Sequence, residues 1–228
     1  MVLYKAIFPF TLLLIISLQV IAIEIDSTRL SNNETRALKI YQQLDSQELS
    51  FDAFSSAYKG YRQLLSKTII EKKNILTVID FNKSSKKERF FIIDLSTYSI
   101  IHESLVAHGK NSGWDIPSSF SNLENSHKSS LGFYVTGETY VGKHGLSLKL
   151  NGLEKGINDN ARKRHIVIHA ADYVSHGFVE QIGRLGRSFG CPALPSENYA
   201  QIIDLIKDKS IVFIYSNQPD YFAMSKYL

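Results

Sequence analysis

Two helical patterns come before any strand pattern in this chain. In residues 35–44, apolar side chains recur three and four positions apart, and the same spacing returns in residues 51–65 after a polar break. Ser50 and Asp52 are the candidate N-caps of the second helix, and Gly60 is expected to weaken it slightly. Two short helices alone bury too little surface, so the pattern predicts a helical pair that packs on a neighbouring element.

From residue 75 onward the hydrophobic period shortens to that of strands. Runs rich in β-branched and aromatic residues predict strands at 75–81, 90–95, 98–106, 132–136, 146–150, 164–169 and 211–215. Residues 109–124 contain Gly, Pro and Ser and predict a loop. A further helix is expected over residues 196–207, with Ser196 as its cap. The pattern as a whole predicts a mostly-β fold with a helical pair in front and a helix near the end.

The segment before the helical pair has the layout of a secretory signal peptide. Lys5 supplies a positive charge, the apolar run 6–23 follows, and modest side chains precede a cleavage point after Ala22. The alternative is an uncleaved membrane anchor, since the run is at the lower length limit for a spanning helix. Pro9 and polar residues within the run disfavour an anchor. Both interpretations predict an exported protein, which contacts the membrane only through this segment if it stays uncleaved.

Composition and charge narrow the class of protein further. Of the 228 residues, 44% are hydrophobic and 21% are charged, which excludes a disordered, a collagen-like and a polytopic membrane protein. The formal net charge of +4 comes from dispersed residues, and the densest basic cluster, 162–164, is too short to indicate nucleic-acid binding. Cys191 is the sole cysteine, so the chain has no internal disulfide. A lone thiol in an exported protein is either buried and inert or kept for its chemistry.

The residues around Cys191 favour a reactive thiol. Gly and Pro crowd this part of the sequence and predict a tightly turning backbone, in which a cysteine is poorly placed as a core residue. Gly190 allows backbone N–H groups to point at a bound oxygen, as an oxyanion hole requires. Arg184 and Arg187 supply positive potential, which favours thiolate over thiol. The alternative is a buried structural cysteine.

A nucleophilic cysteine needs a histidine within hydrogen-bond reach. His169 ends an apolar strand just before a polar loop, and His176, expected in that loop, is the second candidate base. His165 lies on the same predicted strand face as His169, but roughly 13 Å away, which is too far for one metal ion. His144, between two glycines, either lines the cleft and binds substrate or merely occupies a turn. For each of these histidines a structural or solvated role is the alternative.

Two blocks of the sequence resemble the signature of the murein L,D-transpeptidases (YkuD-like). Residues 168–170 resemble the family's histidine step, and 187–192, Arg-Ser-Phe-Gly-Cys-Pro, resemble its Ser-His-Gly-Cys block. The likeness extends through 142–148 and 152–156 and looks closest to a divergent branch of mainly Gram-negative exported proteins. The predicted organisation is a signal peptide at 1–22, a helical lead-in at 23–68, a catalytic domain at 69–216 and a C-terminal tail at 217–228.

This resemblance implies a β-sandwich or open barrel that acts on peptidoglycan stem peptides in the periplasm or cell envelope. It makes Cys191 the nucleophile, His169 the general base and the backbone from Ser188 through Gly190 to Cys191 the source of oxyanion donors. The thiolate attacks the carbonyl of the third stem residue, a diamino acid, and expels the terminal D-Ala. An amine acceptor, from a stem peptide or a protein lysine, or water then resolves the thioester. The resemblance implies no metal and no other cofactor, and carbapenems acylate this cysteine in the family.

Three positions depart from the family pattern. Phe189 stands where the common block has histidine, Ala170 replaces the glycine after the base, and 192–193 replace a segment that often carries a substrate-binding arginine. We expect Arg187 or Arg184 to bind a stem carboxylate instead, the alternative being that both cap backbone carbonyls or pair with nearby carboxylates. Two other functions stay open: an L,D-carboxypeptidase or crosslink hydrolase with the same site, and a peptidoglycan-binding module without catalysis.

Overall fold

The computed structural model of the protein describes residues 32–67 and 69–228. The predicted signal segment, and with it the alternative of a membrane anchor, lies outside these residues. Within them, no helix has both the length and the apolar character needed to span a membrane. The helices are α1 (Asn32–Leu44), α2 (Phe51–Leu64), α3 (His176–Ile182), α4 (Tyr199–Ile206) and α5 (Pro219–Met224). The strands are β1 (Ile75–Asp80), β2 (Phe90–Asp94), β3 (Ser99–Ser104), β4 (Gly132–Gly142), β5 (Gly145–Gly152), β6 (Val167–Ala170), β7 (Ala193–Leu194) and β8 (Ile211–Tyr215).

These strands form a single sheet in the order β3-β2-β1-β8-β4-β5-β6-β7 over the described ranges. Antiparallel pairing dominates, with parallel pairs between β1 and β8 and between β6 and β7. The two ends of the sheet meet, because beyond β3 Ala107 bridges to Ala193 of β7 and Gly109 bridges to Ser188. The sheet is therefore a nearly closed barrel, which confirms the predicted mostly-β class. Closure also brings the segment before β7 against the loop that follows β3.

The predicted helical pair, α1 and α2, packs on this sheet through the apolar face of α2, which contacts β1 and β8. Of the two predicted N-caps, Ser50 is the one used: its Oγ accepts a first-turn N–H at 3.3 Å and donates to the buried Asp80 at 2.6 Å. Gly60 has a role that the sequence did not reveal. A β-carbon at this position would lie 2.0 Å from the ring of Phe133, so glycine allows β4 to pack closely on the helix.

β4 is longer than the predicted strand at 132–136. It continues to Gly142 and pairs with β5 beyond the end of β8, and the register of this pair shifts between Thr136 and Thr139. Gly142 pairs with Gly145, so the β4–β5 ribbon ends in a two-residue turn. The second half of β4 is exposed, and it therefore carries no hydrophobic alternation that would reveal a strand.

β6 begins at Val167 and not at residue 164 as predicted. His165 has a φ of +56° and belongs to the preceding turn, to which the N–H of Ile166 also bonds through the carbonyl of Ala161 at 2.9 Å. The prediction that His165 shares a strand face with His169 is therefore wrong. The strand pattern was extended backward from the β-branched residues 166–168. In the structure, however, the N–H groups of His165 and Ile166 donate to carbonyls of the preceding turn.

Two further predictions near the C-terminal third are wrong. Ser196 does not cap α4, which has Asn198 at its N-cap, because the Oγ of Ser196 donates to the carboxylate of Asp172 at 2.9 Å. His176 does not lie in a loop but is the first residue of α3, whose N-cap is Ser175. None of the residues of α3 is buried, so the helix leaves no apolar periodicity in the sequence.

The predicted tail, 217–228, packs on the sheet through α5. The buried carboxylate of Glu154, two residues after β5, accepts a hydrogen bond from the N–H of Phe133 at 2.7 Å and another from the hydroxyl of Tyr221 at 3.1 Å. The hydroxyl of Ser225 also donates to this carboxylate. A single buried carboxylate thus links the tail to β4, which agrees with packing residues at this end of the chain.

Candidate active site

A cavity of about 500 Å³ opens where the sheet closes, beside the segment that precedes β7. Its walls come from the β4–β5 turn, the residues around the start of β6 and the segment 187–191. The predicted site residues that line it are Cys191, His169, Ser188, Arg187 and His144. Gly190 is buried next to Cys191. Arg184 and the second candidate base, His176, are not part of the cavity wall.

The cavity wall is positively charged. Lys143, Arg164 and Arg187 contribute to it, whereas none of the described Asp or Glu residues does. An uncompensated positive wall attracts substrates that carry carboxylates. This excess of one sign is a property of the assembled cavity, since the three side chains come from the β4–β5 turn, the turn before β6 and the segment before β7.

A larger cavity of about 740 Å³ lies elsewhere, along the part of β4 where the register shifts. The described residues that line it include no cysteine and no histidine, and its charged groups are paired, Glu71 with Lys209 and Glu138 with Lys149. No three His, Cys, Asp or Glu side chains within the described ranges come together as a potential metal site. The chemistry-bearing residues are thus concentrated in the smaller cavity.

Pairing between β6 and β7 determines where Cys191 lies. The parallel register joins His169 to Ala193, so two residues earlier the backbone of Cys191 runs beside Val167. The N–H of Val167 points at the Sγ of Cys191 at 3.4 Å, and the thiol can donate to the carbonyl of His165 at 3.6 Å. Backbone groups of Val167 and His165 therefore hold the thiol at the start of β6.

Burial raises the pKa of the Cys191 thiol, and the N–H of Val167 and the guanidinium of Arg164 act in the opposite direction. The resting group is a neutral thiol that needs a base. The expectation that Arg184 and Arg187 would favour the thiolate is not met, because the guanidinium that lowers the pKa of this thiol is that of Arg164. Sequence reasoning had noted Arg164 only within the basic cluster 162–164, and no local pattern distinguishes it.

His169 is a buried imidazole whose tautomer is defined by its neighbour. Its Nδ1 lies 2.7 Å from the carbonyl oxygen of Ala170, which can only accept, so Nδ1 carries the proton and Nε2 is unprotonated. Burial lowers the pKa of His169 and outweighs the opposing effect of that carbonyl, so the imidazole is neutral near pH 7. Since the backbone and not the side chain supplies this contact, alanine serves at position 170 as glycine would.

The imidazole of His169 and the thiol of Cys191 face the same cavity. Strand alternation places His169 on the same side of β6 as Val167, roughly 7 Å further along the strand. In the described part of the chain no direct hydrogen bond joins the ring to the sulfur. Catalytic pairs in free enzymes are often separated in this way and come together when substrate binds.

His144 occupies the two-residue turn between Gly142 and Gly145, and it also lines the cavity. Its ring lies 4.6 Å from the ring of His169, tilted by 30°. The two alternatives considered for this residue, a turn position and a place in the cleft, therefore occur together. The turn rests one imidazole on the other and covers one side of His169.

The turn before Cys191 is held by Ser188. The Oγ of Ser188 accepts the N–H of Gly190 at 3.0 Å and donates to the carbonyl of Cys191 at 2.6 Å. The Gly190 N–H is thus occupied, whereas the N–H groups of Phe189 and Cys191 have no partner among the described residues. Gly190 has a φ of +122°, and a β-carbon there would lie 2.8 Å from the carbonyl oxygen of Lys128. Only glycine fits at this point, where two segments of the polypeptide cross closely.

Phe189 forms an apolar part of the cavity wall and is 66% exposed. Its ring stacks on the ring of His127 at 4.5 Å, and the ammonium group of Lys110 lies 4.4 Å from its centroid. Both contacts come from the loop that follows β3. These two contacts hold the ring of Phe189 at the mouth of the cavity. The residues around Cys191 do not by themselves predict them, because both partners lie in a distant loop.

The guanidinium groups of Arg184 and Arg187 both pack against the indole ring of Trp114. Their guanidinium carbons are 3.9 Å and 4.7 Å from the indole centroid of Trp114. Arg184 donates to the carbonyl of Leu185, and Arg187 donates to two carbonyls in the loop 109–124, at 3.0 Å and 2.9 Å. The carbonyl-capping alternative thus describes both arginines in part, but Arg187 also reaches the cavity and Arg184 does not.

A buried arginine–histidine pair lies behind the Cys191 block. Arg89 is fully buried, and its Nη2 lies 2.8 Å from the Nδ1 of His108, so that nitrogen must be an unprotonated acceptor. The carbonyl of His108 accepts the N–H of Ser188 at 2.9 Å. Burial, and next the charge of Arg89, lowers the pKa of His108 to about 3. The pair therefore links the backbone of the site to a histidine that must stay neutral.

We expect this histidine to make the fold sensitive to acid. The folded pKa of about 3 lies below the ordinary value of 6.5, so stability is fully present above pH 6.5 and is lost as the pH falls toward 3. His108 contributes a slope of at most about 1.4 kcal/mol of unfolding free energy per pH unit in that range. Urea unfolding of the wild type and of His108→Asn, which keeps an acceptor without a titratable ring, measures it. Equal slopes for the two proteins would contradict the assignment.

Comparison with known proteins matches the chain to one family model, described as the L,D-transpeptidase catalytic domain (YkuD_2), over residues 45–215. No curated protein matches the chain. Similar solved structures include an L,D-transpeptidase from Mycobacterium smegmatis, with 12% identity and a TM-score of 0.38 over 63% of this chain and 59% of that one. The helical cell shape determining protein Pgp2 from Campylobacter jejuni has 17% identity and a TM-score of 0.41, over 69% and 56%. An L,D-transpeptidase from Stackebrandtia nassauensis has 13% identity and a TM-score of 0.38, over 79% and 76%.

The chain thus spans 59% and 56% of the length of the first two of these structures. The match to the family model is of a different kind, because it covers most of the chain and contains both the histidine at the end of β6 and the Gly-Cys turn before β7. On that match, the chain belongs to the family of L,D-transpeptidase catalytic domains.

Proposed function

We propose that the protein is an L,D-transpeptidase of peptidoglycan stem peptides, with Cys191 as the nucleophile and His169 as the general base. One observation carries the proposal: a cysteine and a neutral imidazole, whose Nε2 is free to accept a proton, line one cavity within the region that matches the family. A cysteine paired with a base is the minimum equipment of a covalent acyl transferase.

The first half-reaction forms a thioester. Nε2 of His169 takes the proton of the Cys191 thiol, and the sulfur attacks the carbonyl carbon of the diamino acid at the third stem position. The charge that develops on the carbonyl oxygen is stabilised by backbone N–H groups, for which those of Phe189 and Cys191 are available. The imidazolium then protonates the nitrogen of the terminal D-Ala, the C–N bond breaks, and D-Ala leaves as a free amino acid.

The second half-reaction returns the enzyme to its resting state. An acceptor amine attacks the thioester carbonyl while the neutral His169 removes its proton, and the thiolate leaves and is reprotonated. An amine from another stem gives a crosslink, and a protein lysine gives an attached protein. Water in the same place gives a trimmed stem, which is the carboxypeptidase alternative.

The charge of the cavity supports a substrate with carboxylates. Arg187 is held by two backbone carbonyls and by stacking on Trp114, so its remaining N–H groups are pre-positioned at the cavity wall. Lys143 and Arg164 add positive charge without a facing carboxylate from the described residues. Stem peptides carry free carboxylates along their length, and this class of ligand fits the wall.

The proposed location follows from the substrate. We propose that residues 1–22 direct export and that the protein acts in the cell envelope, where peptidoglycan is built. The helical lead-in, the catalytic domain and the tail keep their predicted boundaries in this proposal. Contact with the membrane is proposed only through the N-terminal segment, in the case that it stays uncleaved.

Incubation with a tetrapeptide stem that carries a diamino acid at position three and a terminal D-Ala tests the reaction. Mass spectrometry is expected to show release of D-Ala and formation of a stem dimer. Release of D-Ala with tripeptide as the sole product would establish the carboxypeptidase alternative. An unchanged tetrapeptide, with folded protein and reduced thiol, would contradict both and favour a peptidoglycan-binding module.

A further inference from the structure

The guanidinium of Arg164 donates four hydrogen bonds, and all of them go to the single segment 121–130. Its Nη1 donates to the carbonyl of Ser121 at 2.7 Å and to the hydroxyl of Ser130 at 2.5 Å. Its Nη2 donates to the hydroxyl of Ser126 at 3.2 Å and to the carbonyl of Lys128 at 2.6 Å. All four acceptors are neutral, and no ion pair within the described residues includes this guanidinium.

The segment that Arg164 holds, 121–130, crosses directly over the turn of the nucleophile. The carbonyl of Lys128 and the Nη2 of Arg164 lie 2.8 Å and 3.3 Å from the place of a β-carbon on Gly190. From the same segment, the hydroxyl of Ser129 donates to the carbonyl of Gly190 at 3.3 Å. The guanidinium is therefore packed against the backbone of the residue before Cys191, and it lines the same cavity as the thiol.

A half-buried guanidinium without a carboxylate is costly to keep charged, and a negative charge that forms beside it reduces that cost. Deprotonation of Cys191 creates a negative charge in a buried place, where an opposite charge is weakly screened. The other titratable side chains that line the cavity are Lys143, Arg187, the three imidazoles of His144, His165 and His169, and the phenols of Tyr140 and Tyr173. Of these and Arg164, it is Arg164 that lowers the pKa of Cys191.

We propose that Arg164 is a positioning residue for the nucleophile: its guanidinium holds residues 121–130 against the Gly190–Cys191 turn and supplies the positive charge that stabilises the thiolate. This inference rests on the proposed function insofar as the thiolate is the reacting species. The two roles are separable, because the hydrogen bonds need the guanidinium geometry, whereas the charge can come from any cation at this place.

The test is the pH dependence of iodoacetamide alkylation, which reports the thiolate fraction of this single-cysteine chain without any peptidoglycan substrate. Arg164→Gln and Arg164→Met remove the charge and are expected to raise the pH midpoint of alkylation by about 1 to 3 pH units. At a fixed pH below the midpoint, this rise corresponds to an alkylation rate that is at least about tenfold lower. Arg164→Lys keeps the charge and is expected to stay close to the wild type. Circular dichroism establishes that each variant is folded, and either folded neutral variant decides.

Arg162→Gln is the matched control. It removes the same charge two residues away, from an exposed side chain that pairs with Glu138, and it is expected to leave the midpoint unchanged. A neutral Arg164 variant with the wild-type midpoint, or an equal rise in the Arg162 variant, would overturn the proposal. Because alkylation requires no acyl substrate, a failure of the transpeptidase proposal leaves this measurement interpretable.

Discussion

Cys191→Ser protein is expected to form no adduct with a carbapenem, whereas the wild-type chain is expected to gain the mass of one molecule. The physical reason lies in the nucleophile, since a serine hydroxyl is barely ionised and a neutral imidazole such as His169 is a weak base for it. The chain has one cysteine, so a single acylation site is expected. Intact-mass spectrometry of the reduced, folded protein, with and without the carbapenem, measures the change from one adduct per chain to none.

Serine keeps the size of the side chain and leaves the Gly190 turn in place, so the variant is expected to fold as the wild type does. An adduct that persists in Cys191→Ser would place the nucleophile at another residue. Absence of an adduct on the wild type, with the thiol titratable by iodoacetamide, would count against the transpeptidase proposal and for the binding module without catalysis.

His169→Ala is expected to slow acylation of Cys191 by roughly 10²–10⁴-fold. The carbonyl of Ala170 holds the proton on Nδ1 of His169, which leaves Nε2 free to accept the proton of the thiol. The alanine variant lacks this acceptor. Burial lowers the pKa of His169 below its ordinary 6.5, so the imidazole stays unprotonated at mildly acidic pH. The wild-type rate is therefore expected to fall only when the pH drops below 6.5 and through the lowered pKa of His169. The time course of the carbapenem adduct at several pH values measures both effects.

His176→Ala is the control for this assignment. His176 is exposed on α3, its Nε2 lies 3.2 Å from a carboxylate oxygen of Glu88, and it is not part of the cavity wall. The variant is expected to react at the wild-type rate. A severe loss in His176→Ala together with a normal rate in His169→Ala would show that the base had been assigned to the wrong histidine.

Local patterns predicted most of the elements but not their limits. β8 was predicted without error at 211–215, because a buried central strand is apolar throughout. The outer half of β4, with exposed polar residues, gave no such signal, and α3 gave none because no residue of it is buried. Alternation predicts an element only where one of its faces is buried, and elements at the surface are specified by their neighbours instead.

The same division applies to the candidate site. The residue types at positions 169 and 191, and the glycine before the cysteine at 190, could be recognised from the sequence, since a short turn and a strand end are local features. The charge beside the sulfur could not, because Arg164 reaches Cys191 through pairing of β6 with β7 and through segment 121–130. Which arginine acts on the thiol is a matter of distance between separate parts of the chain.

By itself, the sequence determined the order of the helical pair, the seven predicted strands and the helix α4, the presence of a Gly-enclosed cysteine and the histidine at the end of a strand. Those features depend on the period of apolar residues and on backbone freedom at glycine, which short stretches of chain contain in full. The tertiary structure alone decided that Ala107 and Ala193 close the sheet, that burial raises the pKa of the Cys191 thiol, and that three cations face one cavity. Burial and charge act through space, and they exist only once residues far apart in sequence have been brought together.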